Sequence, residues 1–346
     1  MSGRRLYLDD APGEARGVVT LDGRPERLLI RRIDDAPRQQ LGARLVARVR
    51  SIERGIATAF LDIGDAPDAA LSLAGGGATL VEGAFVEVEV TAEARRGKGA
   101  VARLVGSAEG PPRIVHAAPS LSERLSSYAP GVEIVKSAAA REAADVAEAA
   151  ALAIEHPLPG GGLIAIEPTR ALTAVDVDLQ AGAGDARRGA RRVNLAAIEH
   201  AARLLRLKAF GGLVVIDLIG AGHDGAALAA AAKAAFADDQ PGVSIGPVSR
   251  FGLLQLATPH RERPVAEILG DERGESSPAT VALRLLRALE REGRADGGAR
   301  LEGRCAGSVA DAATPYIESL RERIGARFEL IADDAMARDR FEVSIR

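Results

Sequence analysis

Three segments follow one another along the chain and decide its fold: ALTAVDVDL (171–179), NLAAIEHAARLLRLK (194–208) and GGLVVIDLI (211–219). The first alternates small or apolar with polar residues, the period of a strand. In the second, Asn194 is placed as the N-cap of a helix over 195–209, with Leu195, Ile198, Ala202 and Leu205 as its apolar stripe. Gly211 and Gly212 end that helix. LVVIDLI (213–219) is a continuous apolar run and reads as a buried strand. GLIAIE (162–167) precedes them as a strand. A second Ala-rich helix over 225–237 and strands near VSIGPVS and FGLLQLA follow. Strand, helix, strand, helix, strand in this order predicts an α/β layered domain.

Outward from there, residues 137–156 form a long Ala-rich helix stopped by Pro157 and Pro159. AEGPP (108–112) reads as a linker. Across 41–107, ARLVARVRSI, IATAFLDIG, FVEVEVTAEA and AVARLVG alternate in polarity between glycine-rich turns such as AGGGA (74–78). Short strands at this spacing predict an OB-type barrel. Residues 4–32 read as a meander turning at Asp22-Gly23. On the other side, 260–277 is a polar connector. A helix over 281–292, a strand over 299–305, a helix near 308–323 and the strands FELIAD and RFEVSI make a small α+β unit.

The chain has 346 residues, 47% of them hydrophobic, so several cores can be buried. Its net charge of −3 supplies no global field for a polyanion, so nucleic-acid binding has to rest on local basic patches. The single cysteine, Cys305, excludes an intrachain disulfide and a multi-cysteine zinc site. No apolar run reaches the roughly 18 residues of a membrane span, and MSGRRLYLDD has no signal-like apolar region. A cytoplasmic protein without membrane contact is the expectation.

Chemistry concentrates in a few places. Asp176 and Asp178, two apart on a strand, share a face, and Asp217 terminates the apolar run. Such carboxylates can surround a hard cation; alternatively each only caps a strand end. Arg187, Arg188, Arg191 and Arg192 suit phosphates, or form a solvated surface. Arg250 and Phe251 in SRFG, and Phe60 with the RRGK turn ending at Lys98, pair aromatic and basic groups as single-strand binders do. Phe60 reads equally as a core residue, and Phe251, taken alone, reads more readily as one. The five histidines are scattered and read as surface or structural, with His200 alone placed near the acidic residues.

These motifs resemble the ribonuclease E/G family. EPTRALTAVDVD (167–178) is similar to its "TEALT-IDIN" stretch, residues 194–219 to "TNLEAA–IARQLRLR-LGGLIVIDFID", and VSRFGLLQL (248–256) to "SRFGLLEM". TAFLDIG and GKGA resemble its barrel, so the likeness covers nearly the whole chain. It implies a ribonuclease-H-like subdomain (1–40 and 108–157) with an inserted OB-type barrel (41–107). A catalytic deoxyribonuclease-I-like α/β domain (158–260), a linker (261–274) and a small α+β C-terminal domain (275–346) would follow. It implies a Mg²⁺-dependent endoribonuclease, with Mn²⁺ as the alternative ion, cutting single-stranded RNA to 5′-phosphate and 3′-hydroxyl ends. By this resemblance Asp176 and Asp217 are catalytic metal ligands and Asp178 assists. Phe60, Lys98, Asn194, Arg250 and Phe251 then fall on RNA-binding positions, with the four arginines holding phosphates.

The departures carry expectations too. No counterpart of the family's "RTAG" sensor motif fits into 108–136, so dependence on a 5′-monophosphate should be lost. The "CPxC" zinc-link motif is absent, so no zinc and no zinc-linked dimer are expected, and the oligomeric state is left open. Asp178 replaces Asn, Gly220 an acid, Gln255 a Glu, and Ala70 an aromatic residue. The alternative reading is therefore a non-catalytic RNA-binding protein derived from the same family.

Overall fold

The computed structural model describes residues 3–74, 80–159, 161–179, 186–220 and 224–346, with the backbone alone for 186–188. The chain opens with the expected meander, β1 (Arg4–Ala11), β2 (Glu14–Leu21) and β3 (Arg24–Arg32). Asp22 and Gly23 both have positive φ, the geometry of a two-residue hairpin.

Next come β4 (Arg44–Glu53), β5 (Thr58–Asp62), β6 (Ala69–Ser72), β7 (Phe85–Ala92) and β8 (Val101–Ser107). They close on themselves in the order β4-β5-β6-β8-β7-β4, with β6 and β8 parallel and the other pairs antiparallel. This closed five-stranded barrel is compatible with an OB-type fold. Its inward residues, among them Leu45, Val49, Leu61, Val88 and Val90, form a core of their own. The linker at 108–112 runs directly into a strand, β9 (Arg113–His116), which pairs with β4 on the outside of the barrel.

Helix α1 (Leu121–Tyr128) starts at a Ser120–Glu123 capping box. Strand β10 (Ile134–Val135) then joins the meander parallel to β1. Helix α2 (Ala138–Leu152) ends short of the 156 expected. Lys208 Nζ takes its last free carbonyls, donating to Ala151 O at 2.9 Å and to Ala153 O. The residues beyond form β11 (Glu155–Pro157), the edge of the second large sheet.

That sheet contains β12 (Leu163–Pro168) and β13 (Thr173–Asp178), followed by helix α3 (Ala186–Lys208) and β14 (Gly212–Asp217). Helix α4 (Gly225–Ala235) leads to β15 (Ser244–Ile245) and β16 (Leu253–Thr258). The order is β11-β12-β13-β14-β16-β15, and β13–β14 is the parallel pair within it. Helix α3 begins eight residues before Asn194, so Asn194 is no N-cap. ARRGARRV is mostly strong helix former, and one glycine does not stop it.

The helices cover one face of the sheet. Ile164, Ile166, Val175, Val177, Val214 and Ile216 point into a core shared with Ala197, Ile198, Ala201, Leu204 and Leu205 of α3. The same core takes in Val18, Leu28 and Ile30 of the meander, so apolar packing is continuous across position 157/158. β14 is not the fully buried strand its apolar run suggests. Leu213 is 59% exposed on the uncovered face.

The connector expected at 260–277 contains a short helix, α5 (Val265–Leu269). Helix α6 (Pro278–Ala295) has Ser277 as N-cap and a proline in its first turn. Strand β17 (Leu301–Cys305) follows. The single helix expected near 308–323 is two, α7 (Gly307–Ala313) and α8 (Ile317–Ile324). Pro315, which has no N–H for a helix interior, lies in the 3₁₀ turn between them. Strands β18 (Phe328–Ala332) and β19 (Phe341–Ile345) flank β17 and complete the C-terminal α+β unit. No described helix is long and apolar enough to cross a membrane.

Candidate functional site on an open sheet face

The strand period sets the first part of the site. In β13, Thr173, Val175 and Val177 are buried while Ala174, Asp176 and Asp178 face outward. In β14, Val214 and Ile216 are buried while Leu213 and Asp217 face outward. Asp176 and Asp217 are direct partners in the parallel register. Their backbones are therefore one strand spacing apart, roughly 4.8 Å. Both lie toward the carboxyl ends of the two parallel strands, where sites form in such sheets. Asp178 lies one pleat further on, opposite Leu163.

Two turns frame this end of the sheet. After β14, Asn194 holds the chain: its Nδ2 donates to Ile219 O and its Oδ1 accepts from Ile219 N, both at 3.0 Å. Asn194 is 2% exposed, so it acts through the turn that follows Asp217. Before β16, Ser249 Oγ accepts from the backbone N–H of Phe251 and Leu253. Leu218 N donates to Gly252 O, and Leu253 is the register partner of Asp217. The SRFG turn is thus stitched beside Asp217. Phe251 is 72% exposed, and the Arg250 guanidinium lies 4.7 Å from its ring centroid. The core reading of Phe251 is excluded.

The other end of the face meets the barrel. The RRGK hairpin closes through reciprocal Arg95–Lys98 backbone bonds, with Gly97 at positive φ and Lys98 exposed. Arg96 N donates to Glu267 Oε2 at 2.7 Å, and Arg263 N to Glu93 Oε2 at 3.1 Å, fixing barrel to connector. His260 sits against Gly212 at the start of β14. Burial first, then Arg95 and Lys98, push its pKa down to about 4. On the barrel, Phe60 faces outward on β5, in register with Ala70 of β6, which is in register with Val101 of β8.

Arg191 and Arg192 are exposed in the first turns of α3. The side chains of Arg187 and Arg188 lie outside the described residues. His200 is not near the aspartates; it is buried in the helix layer on the covered side. Reasoning from sequence missed Leu213 and the docking role of Arg96. The alternation within GLVVID carried the first signal; nothing local carried the second.

The carboxylates of Asp176, Asp178 and Asp217 make no hydrogen bond or ion pair with described residues. They are acceptor-only groups facing solvent, a donor set that suits a hard divalent ion. Among the described residues no three His, Cys, Asp or Glu converge tightly enough to form a complete cage. Two carboxylates, with waters and phosphate oxygens completing the shell, is the Mg²⁺ mode.

The family model described as the ribonuclease E/G family matches residues 113–262. Ribonuclease E of Buchnera aphidicola subsp. Acyrthosiphon pisum is 37% identical over 124 residues, 35% of this chain and 13% of that protein. Ribonuclease E of Escherichia coli K12 is 34% identical over 153 residues, 40% of this chain and 14% of the relative. Ribonuclease E of Haemophilus influenzae is 34% identical over 152 residues, 40% and 16% respectively. The chain thus matches only a small part of the length of these relatives.

Proposed function

We propose, from the premise that this chain belongs to the ribonuclease E/G family through residues 113–262, that it is a Mg²⁺-dependent endoribonuclease of single-stranded RNA. The observation that carries the reading is the in-register pair Asp176–Asp217 on the open face of the sheet. Asp176 and Asp217 would hold the ion, Mg²⁺ or alternatively Mn²⁺, with Asp178 at its margin. A bound Mg²⁺ supplies an acidified water and charge neutralisation at a phosphoryl group. Hydrolysis that leaves 5′-phosphate and 3′-hydroxyl ends follows from attack of that water on phosphorus with the 3′ oxygen leaving.

The protein's own groups align the strand. Phe60 stacks a base on the outer barrel face, and Lys98 takes a backbone phosphate at the hairpin. The open face then leads from His260 past Leu213 to the aspartates, a path of about 17 Å set by the rise of β14. Phe251 stacks a base beyond Asp217, while Arg250, Arg191, Arg192, Arg187 and Arg188 hold phosphates. Asn194 keeps the turn after Asp217 in place.

The test is incubation of an AU-rich, single-stranded RNA bearing a 5′-hydroxyl with the protein, in Mg²⁺ or in EDTA. Internal cleavage with Mg²⁺ alone, lost in Asp217→Asn while RNA binding persists, is the expected result. Wild-type cutting by Asp217→Asn overturns the role of the pair. Binding without cleavage in Mg²⁺, and also when Mn²⁺ replaces it, leaves the non-catalytic RNA-binding reading.

A further inference from the structure

At the end of the six-stranded sheet remote from Asp217, Phe210 leads into β14, and Thr258 and Pro259 carry the chain out of β16. There the surface opens into a cleft of about 130 Å³. None of the residues proposed to cut or hold RNA lines it. Its floor is apolar: Ala202 and Leu205 of α3 and Phe236 at the end of α4 are all buried. Phe210, half-buried, is a wall. The volume is close to the roughly 150 Å³ of an apolar cavity that takes up benzene, so the space suits one planar ring.

Around that floor stand three guanidinium groups, Arg27, Arg206 and Arg261, and three carboxylates, Asp238, Asp239 and Glu262, so the lining is balanced and draws no phosphate. Most of these charges are already paired. Arg27 reaches Asp239 at 3.3 Å and lies 4.4 Å from the Tyr128 ring centroid. Arg206 reaches Asp239 at 2.7 Å and Glu26 at 3.2 Å, and Asp238 is paired with Arg4. Two groups keep capacity. Arg261 is exposed, and among the described residues its side chain makes one hydrogen bond, Nη2 to Pro241 O at 3.3 Å. The Glu262 side chain is 15% exposed, and its Oε1 accepts from Arg124 Nη2 at 2.6 Å and from the Tyr128 hydroxyl at 3.1 Å. Burial first, then Glu262, pushes the Tyr128 pKa up, which keeps that hydroxyl a donor. Glu262 is thus held through one oxygen, while Oε2 accepts no hydrogen bond among the described residues and can only accept.

We propose that this cleft binds a cytosine base. The single ring fills the space against Leu205 and Phe210, its amino group donates to Glu262 Oε2, and its carbonyl accepts from Arg261. Two-ring bases are too large for the floor. Uracil fits by size but turns a carbonyl oxygen toward the Glu262 carboxylate, acceptor against acceptor. The base belongs either to free cytidine or to an RNA strand passing round the end of the sheet, roughly 17 Å from Asp217 along β14. In the second case it fixes the strand at a set distance from the aspartates.

The test titrates the full chain with cytidine, uridine and adenosine by isothermal calorimetry. EDTA is present, so the outcome does not depend on whether Asp176 and Asp217 cut RNA. Cytidine should bind saturably and at least about tenfold more tightly than either of the others. Glu262→Gln should abolish the preference for cytidine over uridine, because an amide can also donate to the uracil carbonyl. Arg261→Met should weaken cytidine binding at least about tenfold. Arg261 is exposed, so its variant keeps the fold if Glu262→Gln, which costs Arg124 a counter-charge, does not. Displacement of cytidine by oligocytidylate but not by oligouridylate assigns the base to an RNA strand; failure of oligocytidylate to displace it assigns free cytidine. No saturable binding of cytidine, equal binding of uridine or adenosine, or displacement by both oligomers overturns the proposal. So does an unchanged affinity in Arg261→Met, or an unchanged preference in folded Glu262→Gln.

Discussion

Atoms without a partner carry most of the meaning at the scale of single residues. Asp176 and Asp217 face solvent with no protein partner among the described residues, whereas Asn194 is buried and fully partnered. Asn194→Ala deletes two buried hydrogen bonds and leaves the Ile219 amide and carbonyl unmet. About 1–3 kcal/mol of stability should be lost in urea unfolding, together with slower cutting at unchanged RNA affinity. Phe251→Ala should weaken single-stranded RNA binding by about 1–3 kcal/mol without changing the melting temperature, since the ring touches solvent. His156, His200 and His260 all have folded pKa values pushed down to about 4, by burial first. A depressed histidine is neutral in the fold but protonated in the unfolded chain between about 4 and 6.5. Stability should therefore be full above 6.5 and fall as the pH drops through that window, measured as the urea midpoint at successive pH values. The aspartates were legible because strand alternation is local information. Asn194 was misread for the same reason: an Asn before an apolar run looks like a cap, and its true partner is 25 residues away.

Strands and helices here are asymmetric objects, and the asymmetry is where the site lies. β14 reads as buried in sequence because Val, Ile and Leu fill both of its faces. Only the contacts of α3 reveal that one face is left open. Leu213→Glu, on that open face, should leave the melting temperature nearly unchanged yet weaken RNA binding, because a carboxylate there repels phosphates. A variant binding RNA as well as wild type would remove the sheet face from the RNA path. The barrel hairpin tests the other end. A Cβ on Gly99 would stand 1.9 Å from the Asp68 carbonyl oxygen, so Gly99→Ala must shift the backbone that presents Lys98. Helix ends were read less well than helix existence. α2 stops where Lys208 takes its carbonyls, and α5, only five residues long, hides in the connector read as polar.

Across the whole molecule, the N-terminal meander, α2 and α6 meet at a buried ionic cluster. Arg16, fully buried, bonds Asp9 at 2.6 Å and Glu148 at 3.0 Å. Glu148 also takes Arg284 at 2.6 Å, while Glu14 takes Arg287 at 2.5 Å and Arg32 at 2.9 Å. Burial alone would raise the Glu148 pKa, but Arg287, Arg284 and Arg16 more than offset it and hold it low. Its contribution is thus present above the ordinary carboxylate range and lost as the pH falls through its folded value. Glu148→Ala leaves buried guanidinium groups short of a counter-charge and should cost about 3–5 kcal/mol in chemical denaturation. An unchanged midpoint would show that the cluster is not what joins the C-terminal unit to the meander. None of this was legible in the sequence, where each partner looks like an ordinary surface charge on a different element. Glu14 and Arg287 are 273 positions apart. During synthesis at roughly 5–20 residues per second, Glu14 therefore waits on the order of ten seconds to a minute for its arginine. For that interval the early strands must stay soluble with their charges still hydrated, so the time a ribosome takes to reach α6 sets when this molecule can first become whole.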